Sequence, residues 1–540
     1  MSKEPRKRKS GKPSQRGGGG EATSLDALSG LDEESLRQLR DVLRAAQLQP
    51  EGGDDDPVAL FDEFLSRLQA FSEGESQGED DLFEIVVMSL SQLVIEEHGG
   101  DPRARDARAA IYARLDEAVV DEDLDAAGLV LVAKVLSDSG WSVPDSLKTQ
   151  LIATLDAGGS VEAGEGDLGS ALLDIVQATE GDPFAAYDAL NSVLAAFPSD
   201  AAARMVATLG ETRAPVLLHT LAGFAMHRDP QLAIAAIQEL KHAATAGAVE
   251  SSLVERLVRM RPWLPVERQG PLDEAIRALR SQALPPIEAE RPKAAKTYLL
   301  ACDGSGAGGA LASLKASDGW RFVAAMTKPA GVEDVLSMEG LSKAHVDATV
   351  RGMRENVLAA ETDVAGVARY LQLALGENVA AGTPPPFKLI NFVENLGLGP
   401  IAPRPISPGD LIAEILANLP AADTDAAALA RAHKATIGGA LEGPWFEAGE
   451  PVELFLQPIR GVKARVKAML TVYLPERRLF WVRAMALTAF ALQMDRRAFG
   501  SLGSSLALVG REIASGAPMD KIPLMRQIAD TSVRAFQSRG

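Results

Sequence analysis

Apolar residues recur at helical spacing along most of this chain, and one stretch breaks the rhythm. Leu36, Leu39 and Leu43 share a face of LDEESLRQLRDVLRAA, with acidic residues in the first turn, where the positive end of a helix favours them. The same period predicts helices at about 57–71, 80–97, 102–119, 123–139, 144–156 and 168–179. Between residues 182 and 283 it becomes a string of short amphipathic helices joined by short loops. Helical spacing resumes at about 343–358, 362–376, 387–396, 409–418 and 424–436, and closes the chain at 502–515 and 520–537.

The exception is residues 296–327, which read as a β-meander. Thr297–Ala301, Ala310–Leu314 and Trp320–Met326 have strand character, and the chain is expected to return to helix after the KPAG turn at 328–331. Cys302-Asp303-Gly304-Ser305-Gly306 interrupts the first strand, because glycine favours positive φ; Ser317-Asp318-Gly319 carries the Asp-Gly hairpin signal. This layout of strand, Asp, Gly-rich turn, strand, Asp-Gly turn and strand is similar to the opening of ribonuclease H-like and sugar-kinase/actin-like folds. The resemblance covers about thirty residues and implies a phosphate loop at Gly304, Ser305 and Gly306, with Asp303 as a metal or acid/base residue. The residues themselves also fit a plain hairpin turn.

Asp-Pro stands directly before a helical run at Asp56-Pro57, Asp101-Pro102, Asp182-Pro183 and Asp229-Pro230. Asp caps open N–H groups, and Pro suits the first helical position because it has no N–H. The spacing and helix lengths across 101–283 resemble HEAT/armadillo-type helical repeats, a likeness of architecture. The expected fold is mainly α: a helical-repeat (α-solenoid-like) array, a small inserted β-meander α+β unit and a helical C-terminal region. The expected units are a basic tail (1–25), an acidic helical region (26–100), the array (101–284), a Pro-rich linker (285–292), the α+β unit (293–360), a helical region (361–440) and a basic, aromatic-containing C-terminal region (441–540).

Charge alters this picture. The net charge of −19 is uneven: residues 1–20 hold seven Lys/Arg and one Glu, residues 21–150 ten Lys/Arg and thirty Asp/Glu, and residues 451–540 fourteen Lys/Arg and six Asp/Glu. The basic ends are expected either to touch a polyanion or to meet the acidic helices of the same chain. Lys463, Arg465, Lys467, Arg477 and Arg478 lie near Trp445, Phe455, Tyr473 and Trp481, so they are candidates for nucleic-acid contact, with the solvated or ion-paired side of a helix as the favoured reading. The tail has no apolar core of a secretory signal and no apolar run reaches 18 residues, so a cytoplasmic protein without a membrane partner is expected.

Candidate chemistry is sparse. A single cysteine, Cys302, excludes an intrachain disulfide and a cysteine-based zinc site; no disulfide-linked partner is expected. Cys302 and Asp303 are the catalytic candidates, and Asp318, Glu333, Asp334 and Glu339 are the nearest carboxylates for a second metal ligand. The six histidines form no HxxxH, HExxH or HxH pattern, and no dinucleotide or Walker motif is present, so neither a metal nor a cofactor is expected. The favoured function is a non-enzymatic protein-binding scaffold with a protein partner. The alternatives are a metal-dependent enzyme on a phosphorylated substrate centred on Asp303, and a nucleic-acid- or ribosome-associated protein acting through its basic segments.

Overall fold

The computed structural model describes residues 57–539 apart from 73–79, 99–101, 121–123, 125, 158–167, 180, 196, 213, 246–248, 282–291, 318, 439–440, 442 and 496–499. The basic tail, the helical pattern from Leu31, Asp56 and Asp101 therefore lie outside the described residues. The chain is mainly α, with one small sheet.

Twelve helices precede the sheet among the described residues: α1 Pro57–Ser72, α2 Asp80–His98, α3 Pro102–Val120, α4 Ala126–Asp138, α5 Asp145–Ala157, α6 Leu168–Gln177, α7 Pro183–Leu194, α8 Ser199–Glu211, α9 Pro215–Phe224, α10 Pro230–Ala243, α11 Ser251–Met260 and α12 Val266–Arg280. All four Asp-Pro marks precede a helix that begins at the proline. Asp182 accepts the Phe184 N–H and Asp229 the Gln231 N–H, so both carboxylates cap as side-chain chemistry requires. Each helix buries an apolar stripe against its near neighbours in the chain. α9 packs on α7, α10 on α8 and α12, and the core runs through Leu190, Met205, Leu221, Ile237 and Leu257. α1–α4 pack on one another, and α4 continues the core onto α5, α6 and α7.

The sheet has five antiparallel strands in the order β4-β3-β2-β1-β5: β1 Lys293–Leu300, β2 Gly308–Ala316, β3 Gly319–Lys328, β4 Gly331–Leu341 and β5 Ala359–Thr362. Three of these are the strands of the meander. β4 corrects the expectation that the chain turns to helix after Met326: Glu333, Asp334 and Glu339 hide its alternation, and β3 supplies its pairing. α13 (Lys343–Asn356) starts at the Ser342 cap and covers one face, burying Tyr298, Leu300, Leu311 and Phe322 with Val346 and Val350. The opposite face, with Leu299, Ala310, Ala312 and Val323, joins the main core under α14 (Val364–Ala381).

After α15 (Leu389–Asn395), the C-terminal region comprises α16 Pro408–Ala417, α17 Ala426–Ala435, α18 Glu450–Leu456, α19 Val462–Ala468, α20 Arg478–Gln493, α21 Gly500–Ala514 and α22 Pro523–Arg539. A π-helical turn, Met469–Tyr473, continues α19. α20 is buried along nearly its whole length, from Trp481 to Leu492, and reaches the sheet. No helix among the described residues is long and apolar enough to cross a membrane.

Candidate functional site

The Gly-rich turn after β1 is closed by its own hydrogen bonds. Asp303 Oδ1 accepts the N–H groups of Ser305 at 2.8 Å and Ala307 at 3.0 Å, and also the Ser305 hydroxyl at 2.6 Å. The Asp303 N–H donates to Ala307 O, Gly304 N–H to Pro444 O at 2.7 Å, and Gly306 N–H to Asp303 O. All five N–H groups from 303 to 307 are thus used inside the fold, which leaves none to cradle a phosphate. The glycines have another reason to be there. A Cβ on Gly304 would stand 2.0 Å from Phe446 O; Gly306 has φ +79° and its Cβ would meet the Phe480 ring at 2.8 Å. The turn is where the C-terminal region presses onto the sheet.

Cys302 lies in the same seam. Its N–H donates to Thr488 Oγ1 at 3.1 Å and its carbonyl accepts Trp445 Nε1–H at 2.7 Å. Burial pushes the thiol up to about 12, so it is a packed, un-ionised group. The carboxylates considered as co-ligands are engaged elsewhere: Glu333 with Lys328 at 2.6 Å, Glu339 with Arg321 at 3.1 Å, and Asp334 with the Val335 N–H. Asp318 lies outside the described residues. No group of three His, Cys, Asp or Glu able to hold a metal occurs among the described residues.

The basic candidates separate. Arg465 donates to Ile459 O and stacks on Phe536 at 4.7 Å; Arg477 pairs with buried Glu447 and lies 3.9 Å above Phe480; Arg478 donates to Ile513 O and Ala517 O. These three hold helices together. Lys463 and Lys467 are exposed on α19.

A groove that sequence reasoning did not find lies between the helical array and the end of α14. One chamber is about 520 Å³, and another of about 290 Å³ adjoins it through Met226, His227 and Arg228. Four separate segments build it. The first is the corner between α9 and α10. Arg268, only 7 % exposed, fixes this corner by donating to His227 O and Arg228 O, while His227 Nδ1 accepts the Asp229 N–H at 3.0 Å. Burial lowers the His227 pKa, which favours the neutral acceptor seen here. The second segment is Pro262–Gln269. Trp263 is buried beneath it and donates to Ile401 O at 2.9 Å.

The third segment is the end of α14 and the Thr383-Pro384-Pro385 run. Asn378 anchors it, accepting the Val332 N–H and donating to Ala330 O and Val332 O, and Gly382 ends the helix in a left-handed conformation at φ +66°. Phe387, just beyond, wedges between Phe184 and Tyr187, with ring centroids at 4.8 and 5.2 Å; Gly223 leaves the room for it. The fourth is the Pro403–Pro405 loop, held where Arg404 N–H donates to Gln372 O at 2.7 Å. Arg256 locks the whole face by a two-bond fork to Glu394 at 3.1 and 2.8 Å.

The chamber is therefore rigid and mostly apolar. Six prolines line it, with Val266 at 81 % and Val379 at 52 % exposure on its rim. Arg228 and Glu267 are exposed at the mouth. Such a lining favours apolar contact with a few charged anchors. The sequence signal was present only as breaks, in the proline runs at 384–386 and at 403 and 405.

Residues 198–283 are similar to a family model described as the Y4lR second domain, and residues 409–537 to one described as the Y4lR C-terminal helical domain. The first contains two of the four groove segments, and the second begins at α16. No curated protein and no solved structure matches the chain.

Proposed function

We propose that this chain is a protein-binding scaffold that seats an extended segment of a partner protein in the proline-walled groove. The observation that carries the reading is the rim. Val266 and Val379 project apolar side chains into solvent beside a chamber whose walls are fixed by Arg268, Asn378 and Trp263. Preformed walls lower the ordering cost of binding, and large exposed apolar side chains beside a concavity suit a partner's apolar anchors. The HEAT/armadillo-like character of the array belongs to this proposal, since stacked helices offer an extended surface to a partner.

The test is affinity capture with the full chain and with Val266→Asp/Val379→Asp. Both positions are on the rim, so the variant is expected to keep the wild-type melting temperature. The reading predicts that specific polypeptides recovered with the wild type are lost with the variant. The same set recovered with both contradicts it.

A further inference from the structure

His227 and Arg228 are common to three cavities: the two chambers of the groove and a wider one of about 890 Å³ that runs toward Ser199 and Gln231. We infer that this pair receives a carboxylate, supplied by an Asp or Glu inside the partner's segment and flanked there by apolar residues. The inference rests on the groove reading and names the chemistry of the partner.

The corner holds two donors that the fold leaves unused. His227 Nδ1 accepts the Asp229 N–H, so the ring hydrogen sits on Nε2. Among the described residues no group accepts it. The Arg228 guanidinium has no hydrogen bond or ion pair among them either; only its carbonyl is used, by Arg268. Arg268 is a buried cation bonded to the carbonyls of both residues, and it adds positive potential to the corner. The backbone is thereby fixed at two successive residues, so the donors are in place before a ligand arrives.

The other charges of the two chambers are committed or lie elsewhere. Lys388 is paired with Asp188 at 2.6 Å. The Asp334 carboxylate accepts the Val335 N–H at 2.7 Å, and Asp229 accepts the Ser199 hydroxyl and the Gln231 N–H. Glu267 lines only the 520 Å³ chamber. A group at the crossing therefore meets a guanidinium and an imidazole N–H and no uncommitted carboxylate, which favours one negative charge there over a lysine or arginine. Its place in the segment follows from the walls. Pro262 and Val379 line one chamber, and Tyr187 and Phe387 the other. A segment that fills both crosses the corner in mid-run, so a side chain supplies the carboxylate and a chain end does not.

The test selects binders of the immobilised full chain from a displayed library of random dodecapeptides. Groove binders are those lost with Val266→Asp/Val379→Asp, and they are expected to carry Asp or Glu between apolar residues. Such a peptide, synthesised with both ends blocked, is expected to bind about tenfold more weakly when its acid becomes Gln. On Arg228→Gln the same replacement is expected to make little difference, and selection on Arg228→Glu is expected to favour Lys or Arg at that place. Arg228 is exposed and its carbonyl still meets Arg268, so both variants are expected to keep the wild-type Tm. Groove binders without an acidic residue, or an acid whose replacement costs the same on Arg228→Gln, overturn this inference and leave the groove reading standing. A peptide that binds equally well when a free chain end replaces the acidic side chain also overturns it. No groove binder at all contradicts the groove reading, and this inference falls with it.

Discussion

Arg483 grips Glu377 in a two-bond fork, Nε to Oε1 at 2.6 Å and Nη2 to Oε2 at 2.8 Å, and so ties the buried helix α20 to α14. The same guanidinium donates to Gly306 O at 2.9 Å and Lys328 O at 2.8 Å. One side chain therefore joins the C-terminal region, the sheet's two turns and the helix that ends at the groove. Arg483 is only 7 % exposed, and these four bonds engage four of its five N–H donors.

Removing Arg483 is expected to be among the costliest single changes in the chain. Arg483→Met leaves a buried carboxylate and two carbonyls without their donor, and a loss of about 3–5 kcal/mol is expected in urea denaturation. Burial already raises the Glu377 pKa against the pull of Arg483. Without the arginine it rises further, and a group whose folded pKa is raised is best tolerated below its unfolded value and becomes a liability as pH rises through the folded one. The destabilisation is therefore expected to be smaller near pH 5 than near pH 8. Glu377→Gln added to Arg483→Met is expected to recover part of the loss.

Asp303 is expected to matter to the turn and not to turnover. Asp303→Ala removes the acceptor of three hydrogen bonds, and about 1–3 kcal/mol should be lost in thermal denaturation. Asp303→Asn keeps an acceptor oxygen and is expected to cost less. An equal loss from both would mean that the negative charge is what the turn requires.

The Cys302 thiol, raised by burial, is expected to resist a thiol reagent at neutral pH in the folded chain and to react at the rate of unfolding. Because its backbone is bonded to Thr488 and Trp445, labelling reports separation of the C-terminal region from the sheet. Fast labelling under native conditions would show that this seam opens by itself.

His219 is partly buried on α9, 3.4 Å from the Ser252 hydroxyl, and desolvation lowers its pKa to about 4. Its folded value lies below the unfolded one of about 6.5. The neutral form thus contributes stability that is fully present above about pH 6.5 and is lost as pH falls toward 4, by at most about 1.4 kcal/mol per pH unit. His219→Gln is expected to flatten that part of the stability profile, measured by urea denaturation at a series of pH values. The same slope in both proteins would place the titrating group elsewhere.

Local chemistry was legible in the sequence and long-range approach was not. The Asp182-Pro183 and Asp229-Pro230 starts follow from capping within a few residues, so the helices they open could be read directly. Gly304 and Gly306 marked a turn and suited a phosphate loop, but the groups that require them are Phe446 and Phe480, far along the chain. β4 was missed because its acidic residues break the apolar alternation, although its register on β3 is extensive. The groove could not be read at all. It depends on pairs such as Trp263 with Ile401 and Arg256 with Glu394, none of which forms a motif.

The most direct measurement is photo-crosslinking from the groove rim. A photoreactive residue replaces Val266 in the full chain, and a second chain carries it at exposed Val120, far from the groove in sequence. The scaffold reading predicts that irradiation in cells joins a polypeptide to the chain labelled at 266, that the adduct is absent from the chain labelled at 120, and that Val379→Asp abolishes it. Adducts at both positions alike, or none at 266 while the chain is folded, would contradict the assignment of the groove as a partner's seat.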